Sequence, residues 1–200
     1  MKKTETPRKQ PKQARSQAMV EAILAATARL LIARGYARTN TNLVAEAAGI
    51  SIGSLYQYFP NKEALLVALH QRHQAQIQHM IETVLTRLRQ QPPSLRQALE
   101  SLIGAWVEAH QIAPELHRIL EAEGAFFALD SGDERIVKGI QALLGAYAIE
   151  PLGLKTYLVT KTIESLVHAA VIEPPAEFSV TDLAGGLLEL VMAYLELPAG

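Results

Sequence analysis

A chain of 200 residues with 49% hydrophobic and 20% charged side chains can bury a substantial core, which excludes global disorder. It contains no cysteine, so disulfides, thiolate metal sites and cysteine nucleophiles are excluded. The net charge of −1 conceals an asymmetry: residues 1–62 carry ten Lys/Arg against three Glu, a formal +7, while residues 63–200 carry nine against seventeen Asp/Glu, a formal −8. A basic N-terminal third points to a polyanionic partner for that part alone. The opening MKKTETPRKQPKQAR has no apolar h-region, and no run of about 18 uninterrupted apolar residues is present. A cytoplasmic chain that engages no membrane is the expectation.

Residues 1–15, with Pro7 and Pro11, are expected to form a flexible basic arm. From Ser16 to Arg34, Val20, Ile23, Leu24, Leu30 and Leu31 recur at helical spacing, and Gly35 supplies a C-terminal cap. Thr39-Asn40-Thr41 offers N-cap chemistry for a short second helix through Ala48, ended by Gly49. Ser51 caps a third helix reaching Phe59, where Pro60 stops it. Asn61 caps a fourth whose stripe, Leu65, Leu69, Ile77, Met80, Ile81, Val84 and Leu88, is long enough to leave a small domain and enter the next.

After Gln91-Pro92-Pro93, the capping box Ser94-x-x-Gln97 opens a fifth helix marked by Leu95, Leu99, Leu102, Ile103 and Trp106. Pro114 suits the first position of a sixth, which Gly124 ends before an apolar connection over 125–131. Ile136, Ile140, Leu143, Leu144 and Tyr147 form the stripe of a seventh. Residues 154–172 and 180–197 read as two more, the last capped by Ser179-x-x-Asp182. No segment alternates with period two as a half-buried strand does. The fold class is therefore all-α with about nine helices.

The stretch AAGISIGSLYQYF, residues 47–59, has two readings. Gly49-Ile50-Ser51-Ile52-Gly53 matches G-x-S-x-G, the elbow that presents a catalytic serine, and the order Ser51, Asp130, His168 suits a serine hydrolase. That elbow needs a strand before the serine, whereas Asn42–Ala48 is alanine-rich and helical, so no catalytic residue is assigned. As a helix-turn-helix, Ala45 and Ala48 allow close crossing, Gly49 permits the turn, and Ile50, Leu55 and Phe59 anchor the second helix against Val44. Ile52, Gly53, Ser54, Tyr56, Gln57 and Tyr58 then face outward, free of Lys, Asp and Glu. A helical adaptor without DNA affinity is the remaining alternative.

The segment Ile23–Leu66, with ILAATARLLIARGY, TNTNLVAEAAGIS, IGSLYQYF and PNKEALL, closely resembles the N-terminal domain of TetR/AcrR-family transcriptional regulators. The resemblance implies three N-terminal helices for DNA, placed at 16–62, and a larger domain over 63–200 that dimerises and binds an inducer. It also implies that Ile52, Gly53 and Ser54 approach bases, with Gly53 contributing close backbone approach. Tyr56 would touch base methyls and phosphate, while Gln57 and Tyr58 would reach phosphates. Thr41 would meet a phosphate, Asn42 falls where some members carry a base-reading arginine, and Lys62 of the N-K-E motif would meet a phosphate. Lys9, Lys12 and Arg15 of the arm could add phosphate or minor-groove contacts.

Readout of successive major grooves by helix-turn-helix units calls for a symmetric dimer on a palindromic double-stranded operator. The expected dimer surface is 154–172 with 180–197, which stay apolar round much of their circumference. Gly185-Gly186 within the last helix suits close packing of backbones. Trp106, His110, His117, Phe126, Phe127, Tyr147 and Tyr157 are candidates for a small hydrophobic or aromatic inducer of unknown identity. No other cofactor is expected. His117 and Glu121 stand at i, i+4 and His70 and His73 at i, i+3, but with no third ligand evident in the spacing no metal is assigned. The expected function is a ligand-responsive, non-enzymatic repressor.

Overall fold

The computed structural model describes residues 10–124, 134–173 and 175–196. Among these residues are nine helices and no strand: α1 Gln10–Arg34, α2 Thr41–Ala47, α3 Ile52–Tyr56, α4 Lys62–Gln90, α5 Leu95–Gln111, α6 Pro114–Gly124, α7 Glu134–Ala146, α8 Leu152–Ile172 and α9 Val180–Glu196. Lys9, Phe126, Phe127, Asp130 and Leu197, all named above, lie outside the described residues.

Several helix limits differ from the expectation, α2 among them, which ends at Ala47 rather than Ala48. α1 begins at Gln10, so residues 10–15 of the expected arm, Lys12 and Arg15 included, are helical. Pro11 falls in the first turn, where its missing N–H forfeits no intrahelical bond. α3 ends at Tyr56 rather than Phe59. The amides of Tyr58 and Phe59 both turn back to the carbonyl of Leu55, and a residue before proline is disfavoured in the α region, so Phe59 cannot extend the helix. α8 starts at Leu152 because Pro151 takes the N-cap position, with the Glu150 carboxylate accepting the Leu152 amide at 3.1 Å.

The described residues divide into two compact units, one within Met1–Gln71 and Ile119–Leu129, the other within Arg72–Arg118 and Asp130–Gly200. In the first, α1 packs on α2 and α2 on α3. Ile23, Leu24, Ala26, Leu31, Val44, Ala45, Leu55, Phe59, Leu65, Leu66 and Leu69 are buried. Ile50, expected among the anchors, is only half-buried. Ala14–Arg34 is long and apolar enough to cross a membrane by length and composition, yet its Ile23, Ala26 and Leu31 lie in the core of this unit.

The second unit has one continuous core. It draws Ile77, Ile81 and Leu85 from α4, Leu99, Leu102 and Trp106 from α5, Ile140 and Leu144 from α7, Val159 and Ile163 from α8, and Leu187 and Val191 from α9. Here α5 meets both α8 and α9, α7 lies on α8, and α8 on α9. A Cβ on Gly139 would stand 2.8 Å from Leu85 Cδ1, so α4 and α7 touch where any added side chain would have to push the end of Leu85 aside. The bidentate pair of Arg96 with Glu189, at 2.7 and 3.2 Å, ties α5 to α9 across the surface. The α8 residue Lys155 is buried and donates to the Leu195 carbonyl in the last turn of α9 at 2.9 Å.

Candidate nucleic-acid interface

The turn between α2 and α3 is built by backbone geometry first. Gly49 has φ +69°, and its amide returns to Glu46 O while the Ile50 amide returns to Ala45 O. This pair of reversed bonds satisfies two carbonyls at the end of α2 and is the Schellman closure that glycine favours. Two residues later Ser51 caps α3: its Oγ accepts from the Ser54 amide at 3.1 Å and lies 2.8 Å from Ser54 Oγ. The preceding element is helix α2, so the strand that a nucleophile elbow requires is absent at this turn. Ser51 acts as a cap.

The N-terminus of α2 is set in the same way. The N-cap is Asn40, whose Oδ1 accepts from the Leu43 amide at 3.0 Å, while Thr39 is buried and bonds through its hydroxyl to Gly35 O at 2.9 Å. Thr41 thus becomes the first helical residue. Its Oγ1 lies 3.1 Å from the Tyr56 hydroxyl, joining the two helices of the motif at their outer edge. Asn42, Gly53, Tyr56 and Gln57 are exposed, and Thr41, Ile52, Ser54 and Tyr58 are half-buried. All the residues expected on this face therefore remain within reach of solvent, and none of them is acidic.

Lys62 is placed differently from a free surface lysine. Its Nζ donates to Tyr36 O at 3.0 Å and stands 3.8 Å from the centre of the Tyr36 ring. Tyr36 in turn donates to Glu63 Oε1 at 3.4 Å, and burial together with the nearby Glu63 carboxylate raises its phenol above the ordinary value. An ammonium has three N–H donors, so two remain that could meet a phosphate. Tyr36 was not singled out in the sequence; its role follows from the Gly35 turn bringing it beside the start of α4. Arg29 adds a long contact of 3.5 Å to Ala47 O at the end of α2.

In the second unit the candidate inducer residues separate. Trp106 is buried in the core, and His110, one turn on, bonds through Nδ1 to its carbonyl at 2.8 Å. His117 is buried with its ring centre 5.0 Å from that of His110. Tyr147 instead donates to Pro93 O at 2.6 Å, just before the first turn of α5. Seventeen residues of mostly helical chain separate Pro93 from His110, roughly 25 Å at the rise of an α-helix. Tyr157 is 60% exposed on α8, so it faces away from the core. The structure thus gathers Trp106, His110 and His117 and leaves Tyr147 and Tyr157 apart from them.

Around His117 the fold collects more imidazoles than spacing suggests. His73 Nε2 lies 3.0 Å from His117 Nδ1, and the His168 ring centre is 5.0 Å from that of His117. His70, three residues before His73, belongs to the first unit, where its Nε2 is 3.5 Å from Glu121. His168, read from the sequence only as a triad candidate, sits among histidines of α4, α5 and α6.

Residues 23–69 match the profile of bacterial regulatory proteins of the tetR family, and residues 94–195 match that of the tetracyclin repressor-like C-terminal domain. The chain is 26% identical over 110 residues to the nucleoid occlusion factor SlmA of Haemophilus ducreyi, across 55% of this chain and 52% of that protein. It therefore spans about half the length of the curated relatives it matches. A TetR-family protein from Mesorhizobium loti superposes with a TM-score of 0.73 at 20% identity, covering 90% of this chain and 96% of the other. A TetR-family transcriptional regulator from Streptomyces coelicolor gives 0.55 at 26% identity, covering 88% and 99%.

Proposed function

Because the chain belongs to the TetR family of DNA-binding transcriptional regulators, we propose that it is a homodimeric cytoplasmic repressor that binds a palindromic operator through α2 and α3 and releases it when a small molecule binds. The observation that carries this reading is the outer face of the motif. Thr41 and Tyr56 meet at 3.1 Å, beside exposed Asn42, Gly53 and Gln57, with no carboxylate among them. Small and uncharged groups of this kind can approach base edges and methyls, while hydroxyls reach phosphates, without repelling the duplex. The basic residues of the N-terminal third supply the general attraction.

Dimerisation is supported by a row of exposed apolar side chains on α8 and α9. Leu154, Tyr157, Leu158 and Leu166 stand out from α8, and Leu190 from α9. Leu190 borders two shallow apolar hollows, of about 220 Å³ with Leu166 and Phe178 and about 230 Å³ with Leu158 and Tyr194. A contiguous apolar surface on two adjacent helices is what a self-complementary interface uses. The effector, a small hydrophobic or aromatic molecule, would be received near Trp106, His110 and His117. It can act only by binding more tightly to a dimer whose recognition helices no longer fit the grooves.

The test is binding of the purified chain to DNA from upstream of its own coding region, followed as salt rises. A repressor of this kind retains one sequence against an excess of unrelated DNA, with affinity falling steeply in salt. Weak retention that is indifferent to sequence would favour an adaptor without operator recognition.

A further inference from the structure

We propose that Tyr36 is the positioning residue for the phosphate contact of Lys62, its carbonyl and ring holding the ammonium ready before DNA arrives. The inference rests on the reading of α2 and α3 as the motif that binds the duplex, and it names what prepares one contact beside that motif. Tyr36 and Lys62 belong to the same compact unit. Both are half-buried, so each can touch the other and still face the surface.

The turn after α1 fixes the carbonyl first. Gly35, at φ +73°, closes α1 with its amide on Leu31 O at 2.8 Å. Buried Thr39 then ties the turn at two points, its hydroxyl donating to Gly35 O at 2.9 Å and its amide to Tyr36 O at 3.1 Å. A carbonyl has two lone pairs, and the second on Tyr36 O receives Lys62 Nζ at 3.0 Å. Asn40 and Thr41, the cap and first residue of α2, follow directly in the chain. The turn that anchors Lys62 is thus the one that delivers Thr41.

Any residue at position 36 supplies that carbonyl; the ring is what tyrosine adds. Lys62 Nζ stands 3.8 Å from the ring centre, well inside the distance of about 6 Å at which an aromatic face attracts a cation. A lysine on a free stem loses rotamer freedom when it meets a phosphate, and that loss subtracts from affinity. Here carbonyl and ring have already ordered the side chain in the free protein, so less is left to lose. The carbonyl takes one N–H and the ring covers one side, which keeps a donor for the duplex. The Tyr36 hydroxyl contributes little. Its exposed contact with Glu63, at 3.4 Å, is longer than a good O–H···O bond, so phenylalanine would serve in its place.

The experiment is a double-mutant cycle on the full-length chain, read by fluorescence anisotropy on a labelled duplex at low salt. Tyr36→Leu, which keeps the carbonyl and removes the ring, should weaken binding about three- to tenfold, the scale of ordering one long side chain. In a Lys62→Ala background the same change should cost less than about twofold, because the residue acts through Lys62. Tyr36→Phe should rescue binding to the wild-type level. A residue that served the fold alone would cost the same with or without Lys62. Equal losses in the two backgrounds would therefore overturn the proposal, as would a Tyr36→Phe chain as weak as Tyr36→Leu. Should Tyr36→Leu not fold, the wild-type chain decides by NMR. The ring current of Tyr36 should hold the ε-methylene proton resonances of Lys62 upfield of an ordinary lysine, both before and after duplex is added; their return to the ordinary position in either state refutes the role. A wild-type chain that holds no duplex defeats the DNA-binding reading itself, whereas one that holds duplex with equal losses in both backgrounds defeats only this inference.

Discussion

The hydroxyl of Tyr56 lies 3.1 Å from Oγ1 of Thr41, so that the last residue of α3 is latched to the first residue of α2. The bond is exposed, and its loss should cost stability only about 0.5–1 kcal/mol. Tyr56→Phe should therefore melt close to the wild-type chain yet lose about 1–2 kcal/mol of operator affinity, the scale of one specific contact. Melting curves beside fluorescence anisotropy on labelled operator separate the two effects. Unchanged operator affinity would remove Tyr56 from the interface.

Lys62 joins two roles in one ammonium. Its contacts with the carbonyl and ring of Tyr36 pin the connection between α1 and α2, and its remaining donors point the residue toward phosphate binding. Lys62→Ala should lower the melting temperature by an amount equivalent to about 1 kcal/mol and reduce the salt slope of DNA binding by about 0.9. Sequence preference should survive. Lost preference with an unchanged slope would contradict the phosphate role.

A charge on the apolar row should separate protomers. Leu190 is 54% exposed and borders both hollows on α8 and α9, so Leu190→Asp should leave the fold intact while converting dimer to monomer in sedimentation analysis. DNA affinity should fall with it, since each monomer reads only one half-site. A Leu190→Asp chain that remains dimeric would place the interface elsewhere.

The cap of α9 titrates. Ser179 donates through its hydroxyl to Asp182 at 2.6 Å and through its amide at 2.9 Å, and these bonds hold the Asp182 carboxyl below the ordinary carboxylate value. A carboxylate with a lowered folded-state value stabilises the fold fully above the unfolded value, and the contribution fades as pH falls through the folded one. Melting temperature should therefore decline on acidification across that window. Ser179→Ala should make the decline shallower; an unaltered acid profile in that variant would show the bond to be idle.

Lys155 closes the other end of the same helix. Its buried ammonium donates to Leu195 O, and a hydrogen bond to a charged group is worth about 1.5–3 kcal/mol. Lys155→Ala should lower stability by about that much, read by urea titration. A variant with unchanged midpoint would mean that water replaces the donor without loss.

Many of the helix caps and stripes could be read directly because their signals are local. Ser51, Asn61, Ser94 and Gly49 act within three or four residues of themselves, and each stands where its chemistry suggested. The stripe residues Leu65, Leu69, Ile77, Ile81 and Leu88 likewise follow one helical period and are buried. What escaped depends on long-range packing. The Lys62–Tyr36 contact joins residues 26 apart in the chain, and the imidazole cluster joins four helices whose order in space no periodicity encodes. Tyr157 shows the same limit: an aromatic residue on an apolar helix can face the core or the solvent, and only packing decides which. The end of α3 at Tyr56 and the start of α1 at Gln10 were not legible in the hydrophobic pattern, because Pro60 restricts the backbone of Phe59 before it and Pro11 is tolerated in a first turn that carries no apolar stripe.

Gly49 has consequences for how this turn tolerates mutation. Nothing lies within 4 Å of the Cβ it lacks, so no neighbour forbids a side chain there; only its φ of +69° does. The penalty is then conformational, about 1–2 kcal/mol for most residues and less for asparagine, which visits the left-handed region more readily. Drift at this position should run through asparagine before any other residue, because the turn guards a torsion angle and leaves the volume around it unguarded.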